Sequence, residues 1–329
     1  MTNARKCSIM IEQRGNSMEN KVKYSIVVPA YNEEKSLRLF YDAVTPLMDS
    51  LQESYEMIFI DDGSADSTLE ILRGLAEQDS RVKVCSFSRN FGQQAALLCG
   101  FEHAQGEAVI AMDADLQDPP EVALQMIEKW KEGFDVVHGK RKKREGESFF
   151  KKATAFLYYR FMQAVTDLDM PNDVGDFKLY DRKVVNAILS LGEHDRLLRA
   201  QTAWVGFKQT CIEFDRPERV AGETHYTFGK MVKLAESGIF PNSDFTLTMP
   251  ITLGVVLGIA SLICFVTFIV LSCCNVYFGG LLAWLFPTVA LVGAILLFCQ
   301  GMSNMHLRMI YKETQDRPKY IVNEKFNIE

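Results

Sequence analysis

Between Asp244 and Arg308 the chain contains no aspartate, glutamate, lysine or arginine. A chain of 329 residues with 36 basic and 42 acidic side chains would not leave such a gap by chance, so a uniformly soluble protein is excluded. As helix, 245–307 would extend roughly 95 Å, and a bilayer core takes about 20 residues per crossing. Two spans and a turn fit, and a many-pass transporter does not. Cysteine is also sparse in any useful pattern: the eight residues include no C-x-x-C pair, and four of them (Cys264, Cys273, Cys274, Cys299) sit in the uncharged stretch. Neither a disulfide framework nor a zinc site is expected, and a reducing compartment is. Residues 1–23 lack a signal-peptide core, since Ser8-Ile9-Met10-Ile11 is their only apolar run. A net charge of −6 argues against nucleic acid as a partner. The glycine patterns G-x-G-x-x-G and G-x-x-x-x-G-K-[ST] are both missing, which removes the backbone cradles for dinucleotides and for triphosphates.

What is present from 22 to 138 is an alternation of short β-rich apolar runs with longer helical patterns, the mark of βα units and a mostly parallel sheet. Strands are expected at about 23–29, 56–60, 82–88, 108–112 and 134–137. Helices are expected at 33–52, 67–79, 92–105 and 120–132. Ser67-Thr68-Leu69-Glu70 has the spelling of a capping box, and Pro119-Pro120 that of a helix start. Further on, 148–165 mixes aromatic residues with Lys151, Lys152 and Arg160, as an interfacial amphipathic helix would. The expected organisation is an extension at 1–22, an α/β domain at 23–226, a juxtamembrane helix at 227–244, two transmembrane helices within 245–307 (about 247–271 and 280–303), and a tail at 308–329. Lys230, Lys233, Arg308, Lys312, Arg317 and Lys319 flank the outer ends of the spans, while the turn near Asn275 carries no charge. The positive-inside rule then puts both termini and the α/β domain in the cytoplasm.

In open α/β sheets ligands bind beyond the carboxyl ends of the strands. Each expected strand here ends in polar residues: Pro29-Ala30-Tyr31-Asn32-Glu33-Glu34, Asp61-Asp62-Gly63-Ser64, Arg89-Asn90-Phe91-Gly92, Asp113-Ala114-Asp115-Leu116-Gln117-Asp118 and Gly139-Lys140-Arg141. A nucleotide suits such a crevice. With no glycine cradle, its phosphates must be neutralised otherwise, and Asp113-x-Asp115 can offer hard oxygen ligands to Mg²⁺ or Mn²⁺ bridging to a diphosphate. A basic cluster of Lys140, Arg141, Lys142, Lys143, Arg144, Lys151 and Lys152 follows, suited to a local anion.

Val27-Val28-Pro29-Ala30-Tyr31-Asn32-Glu33-Glu34, Ile60-Asp61-Asp62-Gly63-Ser64-Ala65-Asp66, Ser88-Arg89-Asn90-Phe91-Gly92-Gln93-Gln94, Asp113-Ala114-Asp115-Leu116-Gln117-Asp118-Pro119-Pro120, Gly175-Asp176-Phe177-Lys178-Leu179 and Arg219-Val220-Ala221-Gly222-Glu223-Thr224-His225-Tyr226 resemble in order the family 2 glycosyltransferases of the GT-A fold. Within that family the chain is similar to the polyprenyl-phosphate glycosyltransferases, which include bactoprenol glucosyltransferases and dolichol-phosphate mannose synthases. The resemblance runs from residue 24 to about 230, and the two terminal spans match the bactoprenol subgroup. It implies that Pro29, Tyr31, Glu33 and Asp62 hold the uridine part of a UDP-sugar donor. Asp113, Ala114 and Asp115 would meet the metal-diphosphate end, with Asp113 and Asp115 as metal ligands, Gln117 near the sugar and Arg219 on the donor phosphates. Arg141, Arg144 and Lys178 would take the phosphate of the acceptor, and Asp113, Asp115 and Asp176 form the catalytic set. Lys178 stands where arginine is usual and His225 where lysine is usual, which costs a bidentate fork at the first and makes a cation pH-dependent at the second.

The implied reaction is inverting transfer of a hexose, glucose first, from a UDP-sugar to undecaprenyl phosphate at the cytoplasmic face of the cell (inner) membrane, supplying cell-envelope glycosylation. The implied partners are the lipid bilayer and other copies of the chain, since relatives form tetramers. Rival readings are transfer of mannose, an aminosugar or aminoarabinose to the same lipid, and a nucleotide-sensing membrane scaffold without catalysis. A processive polysaccharide synthase would need a Q-x-x-R-W motif, and Gln201-Thr202-Ala203-Trp204 is not one.

Overall fold

Tyr24–Ala30 (β1), Tyr55–Asp61 (β2), Val82–Phe87 (β3) and Ala108–Ala111 (β4) are almost continuously apolar and buried, as strands covered on both faces must be. Between them run Leu37–Asp49 (α1), Thr68–Gln78 (α2) and Gln93–His103 (α3), and Pro120–Lys131 (α4) follows β4. This computed structural model describes residues 22–141, 174–192, 197–215, parts of 250–270, 281–315 and 317–328. The remaining elements are Val136–Arg141 (β5), Val174–Asp181 (β6), Arg182–Ser190 (α5), Leu198–Trp204 (α6), Gln209–Phe214 (β7), Leu281–Thr314 (α7) and Val322–Phe326 (β8).

All eight strands form one sheet in the order β7-β5-β6-β4-β1-β2-β3-β8. Four pairings are parallel, and β6 and β8 supply the antiparallel ones. Phe40, Val44, Leu72, Leu75 and Met126 from α1, α2 and α4 pack on one face, against Ile26, Val28 and Phe59. Leu97, Phe101, Val184, Ile188 and Leu198 from α3, α5 and α6 cover the other, against Val27, Ile58 and Ile60. The result is the three-layer α/β sandwich of the GT-A type.

Three expectations change, and a fourth is not shown. Ser67 makes no side-chain cap on α2; Asp66 does so instead, its Oδ1 accepting from Thr68 N at 3.0 Å. Gly139-Lys140-Arg141 is not a loop but the end of β5, which carries a bulge between His138 and Lys140. The catalytic sheet does not close with the first 226 residues, because Val322–Phe326, beyond α7, adds β8 to the edge of β3. Arg73 pairs there with Glu324, and Asn327 Nδ2 donates to the carbonyls of Ala76 and Val82 at 2.8 Å each. Finally, among the described residues, which omit several side chains of α7, no helix is long and apolar enough to cross a membrane, so the spans at 247–271 and 280–303 are not shown. All of the extension at 1–22 but its last residue, the interfacial helix at 148–165 and the juxtamembrane helix at 227–244 lie outside the described residues.

Candidate active site

The parallel strands β1 to β4 all point their carboxyl ends at one edge, and the loops there are bound to one another. After β1, Asn32 takes a positive φ of 56° and clasps the loop after β2: its N–H donates to Ser64 Oγ at 3.0 Å and its Oδ1 accepts from Ala65 N at 2.9 Å. Glu33 N donates to Thr68 Oγ1 at 2.8 Å, and a carboxylate oxygen of Glu33 accepts from Ser36 Oγ at 2.6 Å. Pro29 lies within β1, and Tyr31 stands 47% exposed at the mouth of the crevice.

Asp61 and Asp62 are both buried, each tied to its surroundings. Asp61 accepts from Ser64 N at 3.0 Å and from Ser86 Oγ at 2.7 Å. Asp62 reaches across to the loop after β3, accepting from Phe91 N at 2.6 Å and Gly92 N at 2.9 Å. Burial raises the Asp62 carboxyl above its ordinary range, against the pull of those two N–H groups. Gly63 makes the approach possible: its φ is +66°, and a Cβ there would lie 2.4 Å from the Arg89 carbonyl carbon.

Register brings the two most important carboxylates together. Ala111 of β4 pairs with Lys178 of antiparallel β6, so Asp113 and Asp176, two residues beyond in opposite chain directions, arrive at the same end of the sheet. Around Asp113 the field is negative. Burial pushes its carboxyl well up, and Asp118, Asp176 and Asp115 add to this. Gln93 Nε2 donates to Asp113 Oδ1 at 2.8 Å, while Asp118 Oδ2 accepts from Asp113 N at 3.3 Å. Ala114, Asp115 and Gln117 are buried, and the turn closes through Gln117 N donating to Asp115 Oδ1 at 3.1 Å with Leu116 at a φ of +56°.

Around Asp176 the field is positive. Arg199, on α6, grips both oxygens of Asp176, with Nε at 2.8 Å and Nη2 at 3.1 Å. Arg141 stretches from β5 over Gly175, where an added Cβ would lie 3.2 Å from its Nη2. Lys178 is 1% exposed, and burial pushes its ammonium down to about 8 although Asp176 pulls it up. Burial alone would raise Asp176, but Arg199, Lys178 and Arg141 hold its carboxyl below the ordinary range. The crevice therefore has two corners: a carboxylate corner that a divalent cation would relieve, and a corner of three cations about one carboxylate that suits a phosphate.

Sequence reasoning did not find Arg199, Gln93 as a partner of Asp113, or Gln94 beside Asp176. Gln93 and Gln94 belong to the Ser88–Gln94 string, whereas nothing local distinguishes Arg199. Arg144, Arg219 and His225 lie outside the described residues. Among the described residues no group of three or more His, Cys, Asp or Glu side chains could hold a metal ion. The donor set nevertheless fits Mg²⁺ or Mn²⁺ chemically, because such ions use one or two carboxylates and take their other oxygens from substrate phosphates and water.

A model of glycosyl transferase family 2 matches residues 25–189. The glycosyltransferase YkcC of Bacillus subtilis (strain 168) is 44% identical, over 95% of this chain and 97% of its own. A prophage bactoprenol glucosyl transferase homolog of Escherichia coli (strain K12) is 35% identical over 92% of this chain and 98% of its own, and the bactoprenol glucosyl transferase of Shigella phage SfV is 36% identical over 92% and 99%. Among solved structures, glucosyl-3-phosphoglycerate synthase from Mycobacterium tuberculosis aligns with 66% of this chain and 76% of its own at 20% identity, with a TM-score of 0.43.

Proposed function

Because the chain belongs to glycosyl transferase family 2 and is a glycosyltransferase, we propose that it transfers glucose from UDP-glucose to undecaprenyl or a similar polyprenyl phosphate, with inversion. The observation that carries this reading is the pairing of opposite fields across one crevice, with Asp113 and Asp115 on one side and Arg141, Lys178 and Arg199 around Asp176 on the other. A diphosphate with its cation belongs to the first corner and a monoester phosphate to the second. Relatives that cover nearly all of the chain are named for glucosyl transfer to bactoprenol, which supports the choice of sugar and carrier.

In this reading Tyr31, Glu33 and Asp62 frame the uridine, and Arg219 meets the donor phosphates. Asp115 and Asp113 hold Mg²⁺ or Mn²⁺, which supplies charge neutralisation at the leaving diphosphate. Arg141, Arg144 and Lys178 hold the acceptor phosphate with one oxygen toward the anomeric carbon. That oxygen forms the new bond to carbon as the bond to the diphosphate breaks, and UDP departs with the electron pair. The acceptor is already an anion, so no strong base is needed. Asp176, clamped by Arg199, orients the cations instead of taking a proton.

The lipid acceptor requires a membrane. The charge-free 245–307 supplies two spans in this proposal, with α7 as the basis of the second. Described apolar side chains on 250–270 and α7 are strongly exposed, among them Ile263, Val289 and Leu296 at 61–64%, as side chains facing lipid would be. The basic residues flanking 245–307 and the uncharged turn near Asn275 support a cytoplasmic position for both termini and the catalytic domain in this proposal. Labelling of a cysteine introduced near Asn275 in intact cells by an impermeant reagent is expected, and protection there would reverse the orientation.

The deciding experiment incubates the purified protein with polyprenyl phosphate and a panel of nucleotide sugars. Glucose from UDP-glucose is expected in the lipid fraction. Transfer of another sugar instead would correct the donor, and no lipid-linked sugar from any donor would overturn the acceptor.

A further inference from the structure

Three consecutive residues at the start of α3 each donate to a different carboxylate of the crevice. Gly92 N donates to Asp62 Oδ2 at 2.9 Å and Gln93 Nε2 to Asp113 Oδ1 at 2.8 Å. Gln94 Nε2 lies 3.5 Å from Asp176 Oδ2, the outer limit of a hydrogen bond. One short turn thus touches the nucleoside, metal and acceptor parts of the proposed site.

Gln94 makes a second, firmer bond. Its Oε1 accepts from Leu198 N at 3.0 Å, at the first residue of α6. That helix has only seven residues, and Leu197 at its N-cap offers no side-chain acceptor, so the bond satisfies an amino-terminal N–H the helix cannot serve itself. The next residue is Arg199, which forks onto Asp176. A carboxamide suits this place because it accepts and donates at once without charge.

We propose that Gln94 is a positioning residue for the acceptor phosphate: it holds the start of α6, α6 delivers Arg199 to Asp176, and the fork sets the anion subsite shared by Arg199, Arg141 and Lys178. Arg199 is thereby a contact of the acceptor phosphate. The inference rests on the proposed transfer to a lipid phosphate, which identifies the anion.

The test is steady-state kinetics of the full-length protein in detergent with UDP-glucose and polyprenyl phosphate, each varied in turn. Gln94→Met keeps length and volume but removes both hydrogen-bonding functions. It should raise the KM for polyprenyl phosphate at least tenfold and leave that for UDP-glucose within twofold. Arg199→Lys, which keeps charge and loses the fork, should act in the same direction. The double variant should be no worse than the more impaired single one, since both act through one fork. A general structural defect would instead move both KM values, and independent roles would multiply. An unchanged lipid KM in folded Gln94→Met, or multiplicative effects, would overturn the proposal. Should Gln94→Met fail to bind UDP or to melt cooperatively, Gln94→Glu decides: it keeps the acceptor for Leu198 N but sets a charge beside Asp176 that competes for Arg199, so the lipid KM must rise selectively. Wild type that glucosylates no polyprenyl phosphate would refute the function itself, and this inference with it.

Discussion

Tyr320 lies flat on Phe87, with ring centroids 4.8 Å apart and planes 16° from parallel. Phe87 in turn meets Phe91 edge-on at 5.7 Å, and the Phe91 N–H is the one that binds Asp62. The C-terminal segment that leads into β8 is thus coupled through two rings to a carboxylate at the nucleoside end of the site. The Tyr320 hydroxyl also bonds to Glu102. Tyr320→Ala is expected to lower the melting temperature and raise the KM for UDP-glucose about two- to tenfold, the scale of an aromatic pair worth roughly 0.5–1.5 kcal/mol beyond burial. Tyr320→Phe keeps the stack and should restore the KM. Equal donor affinity in all three proteins would disconnect this segment from the site.

Asp115→Asn should nearly abolish transfer in a protein that still folds and binds to membranes. Loss of one hard oxygen donor weakens the hold on the cation and removes several kcal/mol of leaving-group stabilisation. Excess chelator should imitate the variant, and Mg²⁺ or Mn²⁺ should restore wild type but not the variant. Full activity of folded Asp115→Asn, or of chelated wild type, would end the metal assignment.

Much of this is legible in the amino-acid sequence alone. The strands β1 to β4 are apolar runs between helical patterns, and the carboxylates that punctuate them stand at the strand ends where sheet geometry gathers ligands. Three things were not legible. β6 carries Asp176 and Lys178 along a buried strand, so its polarity hides its secondary structure, and only ion pairing across the crevice explains how it is tolerated. β8 reads Val-Asn-Glu-Lys-Phe, a half-polar edge strand whose partner lies hundreds of residues away. Arg199 owes its place to a bond between Gln94 and Leu198, and no local pattern records a contact of that span.

Acid should destabilise the fold in a defined window. His138 is 2% exposed on β5, and burial, with Lys178 behind it, lowers the imidazole to about 4. Gln209 Nε2 donates to the carbonyls of Thr202 and Gly206, which leaves its Oε1 to accept from His138 Nε2 at 2.7 Å. The unfolded chain, with a value near 6.5, binds the proton first, so this contribution is complete above about 6.5 and is lost as pH falls toward 4. The slope is about 1.4 kcal/mol per pH unit. Asp62 and Asp113, whose carboxyls are raised, act in the opposite sense in both proteins, so between pH 6.5 and 4.5 the melting temperature in detergent should fall more, or rise less, for wild type than for His138→Gln. Asp49, Asp79 and Asp135, whose carboxyls are held low, add their losses only at more acid pH. Parallel curves for the two proteins would remove His138 from the account.

Arg141→Ala should raise the KM for polyprenyl phosphate more than that for UDP-glucose. Its guanidinium reaches over Gly175 toward Asp176, on the side of the crevice away from the donor loops after β1 and β2. A charge-assisted bond to a phosphate is worth roughly 1.5–3 kcal/mol, about ten- to a hundredfold in affinity. Arg141→Lys keeps the charge but loses the planar fork, so it should recover only part of the difference. Gly175→Ala offers an independent check, since the added methyl would crowd Nη2 at 3.2 Å and should shift the lipid KM in the same direction as Arg141→Lys. An effect confined to UDP-glucose would move Arg141 to the donor phosphates, and an equal effect on both substrates would mean that its loss disturbs the sheet end as a whole.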